Sequence, residues 1–202
     1  MPTYPLTIPT NGGYRSVTLR QINVSAVSTS PFTLHQQVVS HAGARWEADI
    51  SLPPMARADA AVWVGFLSSL RGVFGSFIMG PPDAASPLGS AGGSPLIEGA
   101  GQTGDTINLD GATASQTGWL KAGDYVQIGD YLKVVLADAD SDGSGNVQIE
   151  VWPEVRNAVA DNTALITASP TGLWRLASND LSYDIDSVSL YGISFSAVEV
   201  VG

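Results

Sequence analysis

The chain has 202 residues, of which 44% are hydrophobic and only 14% charged, and its formal net charge is −10. This length allows one large β domain or two small ones. The low charge fits either a surface that neighbouring molecules partly cover or a surface that Ser, Thr and Asn keep soluble. Residues 84–202 hold 15 of the 19 acidic residues, which argues against nucleic acid and against an anionic membrane as partners. The absence of Cys excludes disulfides and thiolate metal sites.

The first ten residues, MPTYPLTIPT, contain no basic segment followed by an apolar run, so they do not resemble a signal peptide. No apolar run is long enough to span a bilayer. We therefore expect synthesis and assembly in a cytoplasm. Residues 1–13 are rich in Pro, Thr and Gly and predict an extended arm, of a kind that a partner often holds in place.

The segment 52–83, LPPMARADAAVWVGFLSSLRGVFGSFIMGPPD, organises the first part of the chain. It predicts one helix over residues 54–71, because Pro54 suits a first helical turn and the alanines favour helix. One apolar face recurs at helical spacing: Val62, Trp63, Phe66, Leu67 and Leu70. Gly72 is a stop signal, and residues 73–79 then alternate as a strand would. A helix with so bulky a face needs a sheet to cover.

Strand patterns precede this helix. The predicted strands are 14–27, 32–39 and 44–52, with a turn at 28–31 and a loop at 40–43. Within the first strand, a change in apolar parity between Leu19 and Ile22 predicts a bulge or bend. In the third strand, alternate apolar residues from Trp46 to Leu52 share one face, which is typical of a half-buried strand.

The second part of the chain begins after a segment rich in Gly, Ser, Ala and Pro, residues 86–104, which we interpret as a linker. Short β patterns then recur at 125–128, 131–135, 147–152, 164–167 and 173–176. Gly129 suits the first position of a type II′ turn between two of them. Short strands at this density predict a small barrel, such as an OB-like one.

Residues 179–202 return to a long β pattern. A lone terminal hairpin would not be stable, so we expect these residues to join the first sheet. The predicted fold is mainly β: a discontinuous β-sandwich with one packed α-helix, formed by 1–85 and 178–202, and an inserted small β-barrel domain at 105–177.

An acidic loop offers one candidate metal site. Asp138, Asp140 and Asp142 match the start of a calcium-binding loop, and carboxylates at alternate positions can converge on a hard cation. Position twelve of that motif is Ile149 rather than Glu, and no helix pattern flanks the loop. An acidic hairpin turn is therefore the preferred interpretation, with calcium as the alternative.

Other motifs lack the context that their chemistry needs. Gly99, Gly101 and Gly104 spell G-x-G-x-x-G but precede a strand pattern instead of a helix. His35 and His41 are interpreted as strand or loop residues, since no Cys or HExxH pattern accompanies them. No G-x-S-x-G elbow occurs. We expect no catalytic residues, no cofactor and no enzymatic activity.

Trp119, Trp152 and Trp174 fall in the predicted barrel. Aromatic side chains on a barrel can stack on sugar rings, which makes Trp119 and Trp174 the candidate glycan contacts. A barrel this small also needs large side chains inside, and a core position is the preferred interpretation.

Two blocks of the sequence resemble tail proteins of tailed bacteriophages. One is the segment 52–83 quoted above. The other is GDYVQIGDYLKVVLADADSDGSGNVQIEVWPEVRNAVADN, residues 123–162, which continues to GLWRL at 172–176. The predicted order of domains is similar to that of distal tail proteins of long-tailed phages: a β-sandwich with one helix, a barrel-like insertion and a final strand pair.

This resemblance implies a structural virion protein that forms a ring, typically a hexamer, between the tail tube and the hub at the tail tip. Its expected partners are further copies of itself, the tail tube protein, the tape-measure protein and hub proteins. Its expected location is the phage tail, assembled in the cytoplasm of a bacterial host. The candidate interface residues are Tyr4, Tyr14, Arg45 and Arg71. Two alternatives stay open: a carbohydrate-binding module for attachment to the host surface, and a hydrolase of cell-wall sugar or peptide.

Overall fold

Strands take up 48% of the chain and helical residues 8%, which confirms the predicted mainly β fold with a single α-helix. The structure is a computed structural model that describes residues 2–201. In chain order its strands are β1 (Leu6–Thr7), β2 (Ser16–Thr29), β3 (Gln36–Ser51), β4 (Phe77–Met79), β5 (Gly93–Ile97), β6 (Gln102–Ala112), β7 (Tyr125–Ile128), β8 (Tyr131–Val135), β9 (Val147–Val159), β10 (Leu165–Ile166), β11 (Gly172–Leu176), β12 (Tyr183–Ile185) and β13 (Tyr191–Glu199). Helix α1 (Arg57–Leu70) and a 3-10 turn (Gly72–Phe74) lie between β3 and β4.

The first sheet joins the two ends of the chain. Its seven strands follow the order β1-β4-β11-β13-β3-β2, and β12 pairs with β13 beside this path. The strand β13 runs antiparallel to β3, with Ala197 opposite Ala48. This pairing confirms the expectation that the last part of the chain joins the sheet of the N-terminal strands.

The strand β11 also lies in the first sheet, so the prediction that it belongs to the barrel is wrong. It is paired on both sides, with β4 and with β13. Trp174 and Leu176 are buried, and the Trp174 indole N–H donates to the carbonyl oxygen of Met79 at 2.9 Å. The chain therefore leaves the second group of strands at Gly172, before the predicted boundary at 177.

Helix α1 covers the first sheet through one apolar face. Its buried side chains are Ala60, Trp63, Phe66, Leu67 and Leu70. Phe66 meets Phe77 of β4 edge to face at 5.7 Å between ring centroids, a favoured aromatic geometry. Val62, predicted on this face, is instead exposed.

The helix boundaries differ from the prediction at both ends. Met55 forms a β-bridge with Tyr191, which keeps the chain extended through Ala56, so the helix starts after position 54. At the other end Arg71 takes the left-handed C-cap conformation, with φ of 54°. The N–H of Gly75 then donates back to the helix at 2.8 Å, so only the last three residues of the predicted strand 73–79 form β4.

The second sheet has the order β10-β7-β8-β9-β6-β5 and curls until it is nearly barrel-shaped. Its outer strands approach each other where Leu96 bridges Ala164. The strand β5 and the start of β6 lie inside the predicted linker 86–104, which is therefore wrong for these residues. The reason is Ile97, which is fully buried in the core of this sheet. The predicted turn between β7 and β8 is present, with Gly129 at φ of 61°.

The strands β2 and β3 form one long hairpin. Residues 40–43, predicted as a loop, continue β3. The turn spans residues 30–35, so it overlaps the predicted turn 28–31 and also takes the first residues of the predicted strand 32–39. The bulge falls between Ile22 and Val24, slightly later than predicted. Gly43 permits the close approach here, because a Cβ at this position would lie 2.6 Å from Val24 Cγ2.

Candidate functional site: an uncharged ribbon and a polar cavity

The outer half of the β2–β3 hairpin extends beyond the rest of the first sheet. The strand β13 pairs with β3 only from Glu47 to Ser51. Farther out, in the described part of the chain, residues 24–29 pair with residues 36–41 and with no other strand. We call this segment with its turn the ribbon (residues 24–41).

The ribbon exposes an unusual amount of apolar surface. Its exposed large side chains are Val24, Val27, Phe32, Leu34, Val38 and Val39. At the turn, Phe32 is 95% exposed and Leu34 is 75% exposed. The register of β2 and β3 places Val27 and Val38 on one face of the ribbon and Val24 and Val39 on the other, so both faces expose apolar side chains. Exposed apolar surface of this kind is typical of interaction sites.

The ribbon also carries no formal charge. Between Arg20 and Arg45 the sequence contains no Asp, Glu, Lys or Arg, and all 19 acidic residues lie at Glu47 or beyond. The rest of the molecule is therefore strongly acidic. An uncharged arm can approach an acidic surface of another copy without like-charge repulsion.

The ribbon continues an open edge of the first sheet. The strand β2 is the outermost strand on that side, and it is 14 residues long. Within residues 2–201, its outward-facing N–H and C=O groups have no strand partner. Long bare edges promote pairing with another chain, and proteins usually shorten or cover them.

Two of the predicted interface residues make contacts inside their own chain. The Tyr4 hydroxyl donates to the carbonyl oxygen of Ser69 at 2.6 Å, and its ring packs edge to face on Phe74. Tyr14 packs on Trp63, and burial raises the pKa of its hydroxyl. The N-terminal arm thus lies along its own helix and adds β1 to β4.

The other two predicted interface residues, Arg45 and Arg71, are exposed. Arg45 forms an ion pair with Glu47 at 2.8 Å. Arg20 pairs with the same carboxylate at 3.5 Å and with Asp49 at 3.3 Å. These arginines lie on β2 and β3 near the base of the ribbon, whereas Arg71 caps the helix.

The acidic loop uses its carboxylates separately. Asp138 pairs with Lys121 at 2.8 Å, and this hydrogen bond lowers the pKa of Asp138. Asp140 accepts from the N–H of Gly118 at 2.6 Å. Asp142 accepts backbone N–H groups of its own turn, which lowers its pKa. Within residues 2–201, no three His, Cys, Asp or Glu side chains are grouped to hold a metal ion, and the geometry is that of an acidic turn.

The candidate glycan contacts Trp119 and Trp174 are both fully buried, so neither ring can stack on a sugar. The Trp119 indole N–H donates to the carbonyl oxygen of Gly92 at 2.8 Å inside the second sheet. Trp174 belongs to the core of the first sheet. The preferred core interpretation fits both side chains, and the carbohydrate-binding alternative loses the residues on which it rested.

A polar cavity of about 200 Å³ lies between the second sheet and the C-terminal end of β13. Lys133, Arg156 and Glu199 contribute its charged lining. Burial lowers the pKa of Lys133 to about 8 against the opposing effect of Glu199. Burial likewise raises the pKa of Glu199, although the N–H of Trp46 donates to it at 3.0 Å.

Sequence reasoning missed this cavity, although the sequence contains a signal for it. Lys133 lies in the run YLKVV, where it is the only charged residue of a buried strand, and Glu199 lies in the similar run AVEVV. Charged side chains are almost never fully buried unless something compensates them. A single charge within an apolar strand is therefore a reason to look for a partner.

Comparisons with known proteins leave the family open. The chain matches no protein-family model. A search of curated proteins found no match either. Among residues 2–201, no helix combines the length and the apolar character needed to cross a membrane.

Proposed function

We propose that the chain is a structural protein of a phage tail tip, where six copies close into a ring between the tail tube and the hub. The observation that carries the ring is the ribbon, because it is apolar, uncharged and unsupported on its outer side. The blocks 52–83 and 123–162, which resemble phage tail proteins, support the location in a tail.

The ribbon has a physical reason to seek a second copy. Two strands without further support are marginally stable in water at best. Burying one large apolar side chain contributes about 1.5–3 kcal/mol, and the ribbon exposes several of them. A contact with a neighbour would recover part of this free energy after the costs of association.

The position of the ribbon favours a ring over a symmetric pair. The ribbon and the acidic parts of the molecule are different surfaces, so a contact between them is head-to-tail. A head-to-tail contact repeats from copy to copy, and the copies close into a ring when the rotation between neighbouring subunits is a whole fraction of a full turn. In such a ring each subunit covers the β2 edge of its neighbour, which no longer presents bare N–H and C=O groups to solvent.

The mass of the purified protein tests the ring. We expect native mass spectrometry and light scattering to give six times the chain mass of 21.0 kDa. The double variant Phe32→Ser and Leu34→Ser removes the apolar tip without adding charge. It should dissociate the ring to monomer while its circular dichroism stays that of the wild type.

Leu88→Ser is the matched control, because Leu88 is 80% exposed but lies outside the ribbon. This control should remain a ring. A wild-type protein that is monomeric at high concentration contradicts the proposal, and so does a ring that survives the double variant. A tape-measure gene next to the gene for this chain would support the tail location independently.

A further inference from the structure

The polar cavity has the lining of a small-molecule site. Its walls are largely apolar, with Ile128, Pro153, Val155, Val159 and Val201 among the lining residues. Its volume of about 200 Å³ accommodates a molecule of a few heavy atoms. Apolar walls with a few convergent polar groups are the usual composition of a binding pocket.

Two polar side chains that line this cavity have a buried atom without a hydrogen-bond partner among residues 2–201. Glu199 is only 6% exposed, and its Oε1 has no hydrogen-bond partner within the described residues. Arg156 donates from Nη2 to the carbonyl oxygen of Ala44, but its buried Nε likewise has no partner among residues 2–201. Leaving such groups unpaired is costly, which makes them candidates for contact with a ligand.

Lys133 supplies the reactive group. It is 5% exposed, and its Nζ donates to the carbonyl oxygen of Glu154 at 3.2 Å. Desolvation lowers its pKa to about 8, against the opposing carboxylates of Glu199 on β13 and Glu154 on β9, and the neighbouring Arg156 of β9 lowers it further. A lysine desolvated in an apolar pocket is an activated nucleophile, commonly used to form Schiff bases.

We infer that the cavity is a covalent binding site for a small aldehyde that carries a carboxylate, with Lys133 as the amine that captures it. The neutral Nζ attacks the carbonyl carbon, and an N–C bond forms. The carbonyl oxygen then leaves as water with both hydrogens of the amine, and a C=N bond remains. Glu199, when protonated, can give a proton to the departing hydroxyl and take back the one that nitrogen releases. Arg156 Nε is the donor for the carboxylate.

The chain contains a built-in control for this chemistry. Lys121 and Lys133 are its only lysines. Lys121 is exposed and paired with Asp138, and this hydrogen bond raises its pKa. At pH 7.5 a much larger fraction of Lys133 than of Lys121 therefore carries a free amine, because the pKa of Lys133 is lowered and that of Lys121 is raised.

The test uses the wild-type protein with glyoxylate as the probe and cyanoborohydride to trap the imine at pH 7.5. Peptide mapping by mass spectrometry separates the two lysines from the α-amino group. We expect Lys133 to be labelled at least about tenfold faster than Lys121, because its larger free-amine fraction outweighs its lower intrinsic nucleophilicity. Equal labelling, or faster labelling of Lys121, overturns the inference.

A second arm tests the carboxylate. Acetaldehyde has the same reactive group without the charge. The ratio of the labelling rate of Lys133 to that of Lys121 should therefore be larger with glyoxylate than with acetaldehyde. Arg156→Gln should lower that preference while leaving the labelling of Lys121 unchanged. The preference for a carboxylate is refuted if the two aldehydes behave alike at Lys133. This inference does not depend on the ring, since it uses only contacts within one chain.

Discussion

Replacing Lys133 by Met should remove a pH dependence of stability that the wild-type protein shows between pH 7 and 9.5. Burial lowers the pKa of Lys133 to about 8 in the folded chain, whereas an unfolded chain keeps the usual value of about 10.4. Between these two values the unfolded state binds more protons than the folded state. The free energy of unfolding therefore rises with pH across this window.

The size of the effect follows from the difference between the two pKa values. At 1.36 kcal/mol for each pH unit, the buried charge costs about 3 kcal/mol at pH 7. This cost is fully present below pH 8 and disappears above about pH 10.4. The free energy of unfolding should therefore rise by about 2 kcal/mol from pH 7 to pH 9.5. The range stops there because half-buried Tyr14 and Tyr125, whose pKa values are raised, add an opposite dependence at higher pH.

Urea unfolding followed by tryptophan fluorescence at pH 7.0, 8.0 and 9.5 measures this effect. The transition midpoint of the wild type should rise with pH, and that of Lys133→Met should start higher and stay nearly constant. Lys121→Met is the control, because Lys121 is exposed, and it should keep the wild-type rise. A flat wild-type profile refutes the reasoning, as does a Lys133→Met variant that retains the slope.

Two further perturbations test the packing of the chain. Asp124 is buried and accepts three backbone N–H groups at 2.6, 3.1 and 2.8 Å, so Asp124→Asn should cost about 2–4 kcal/mol by denaturant titration. Asp130→Asn in an exposed turn should cost almost nothing, and equal losses would count against the assigned role. Trp119→Ala and Trp174→Ala should each lower stability by about 3–5 kcal/mol, because both side chains are fully buried. A calorimetric Tm close to the wild-type value would show that the side chain is not in the core.

The spacing of the apolar residues predicted the helix and the strands better than it predicted which strands pair with each other. Trp63, Phe66 and Leu70 repeat at helical spacing, and the helix they predict is present. The final β pattern was correctly assigned to the first sheet, because a lone hairpin needs support. The pattern of β11 fits a buried strand of either sheet, and only the pairing of Trp174 with Phe77 decides between them.

Errors of the sequence reading occurred where tertiary contacts override composition. The stretch around Ile97 is rich in Gly and Ser, yet Pro95 and Ile97 are buried there and the segment pairs with β6 as β5. The single charges in the runs YLKVV and AVEVV indicate that Lys133 and Glu199 each need a partner, but they do not identify it, because Lys133, Arg156 and Glu199 are far apart in the chain. Their meeting depends on how β13 lies against the second sheet, which no local pattern encodes.

The pairing of β4 with β11 has a consequence for how this molecule can change over time. Met79 and Gly172 are opposite each other, so everything between them departs from and rejoins the first sheet at one spot. Insertions, deletions or a wholesale exchange of that middle portion would leave the route of the remaining backbone untouched. Such an exchange must respect several contacts with the first sheet. The Trp46 indole N–H donates to the carbonyl oxygen of Leu132 at 3.0 Å, the Trp152 indole N–H donates to Asn23 at 2.7 Å, and Leu132 and Val134 pack in the core of the first sheet. A replacement that reproduces these contacts would keep the helix-backed sheet intact, so selection could tailor one half of the protein while conserving the other.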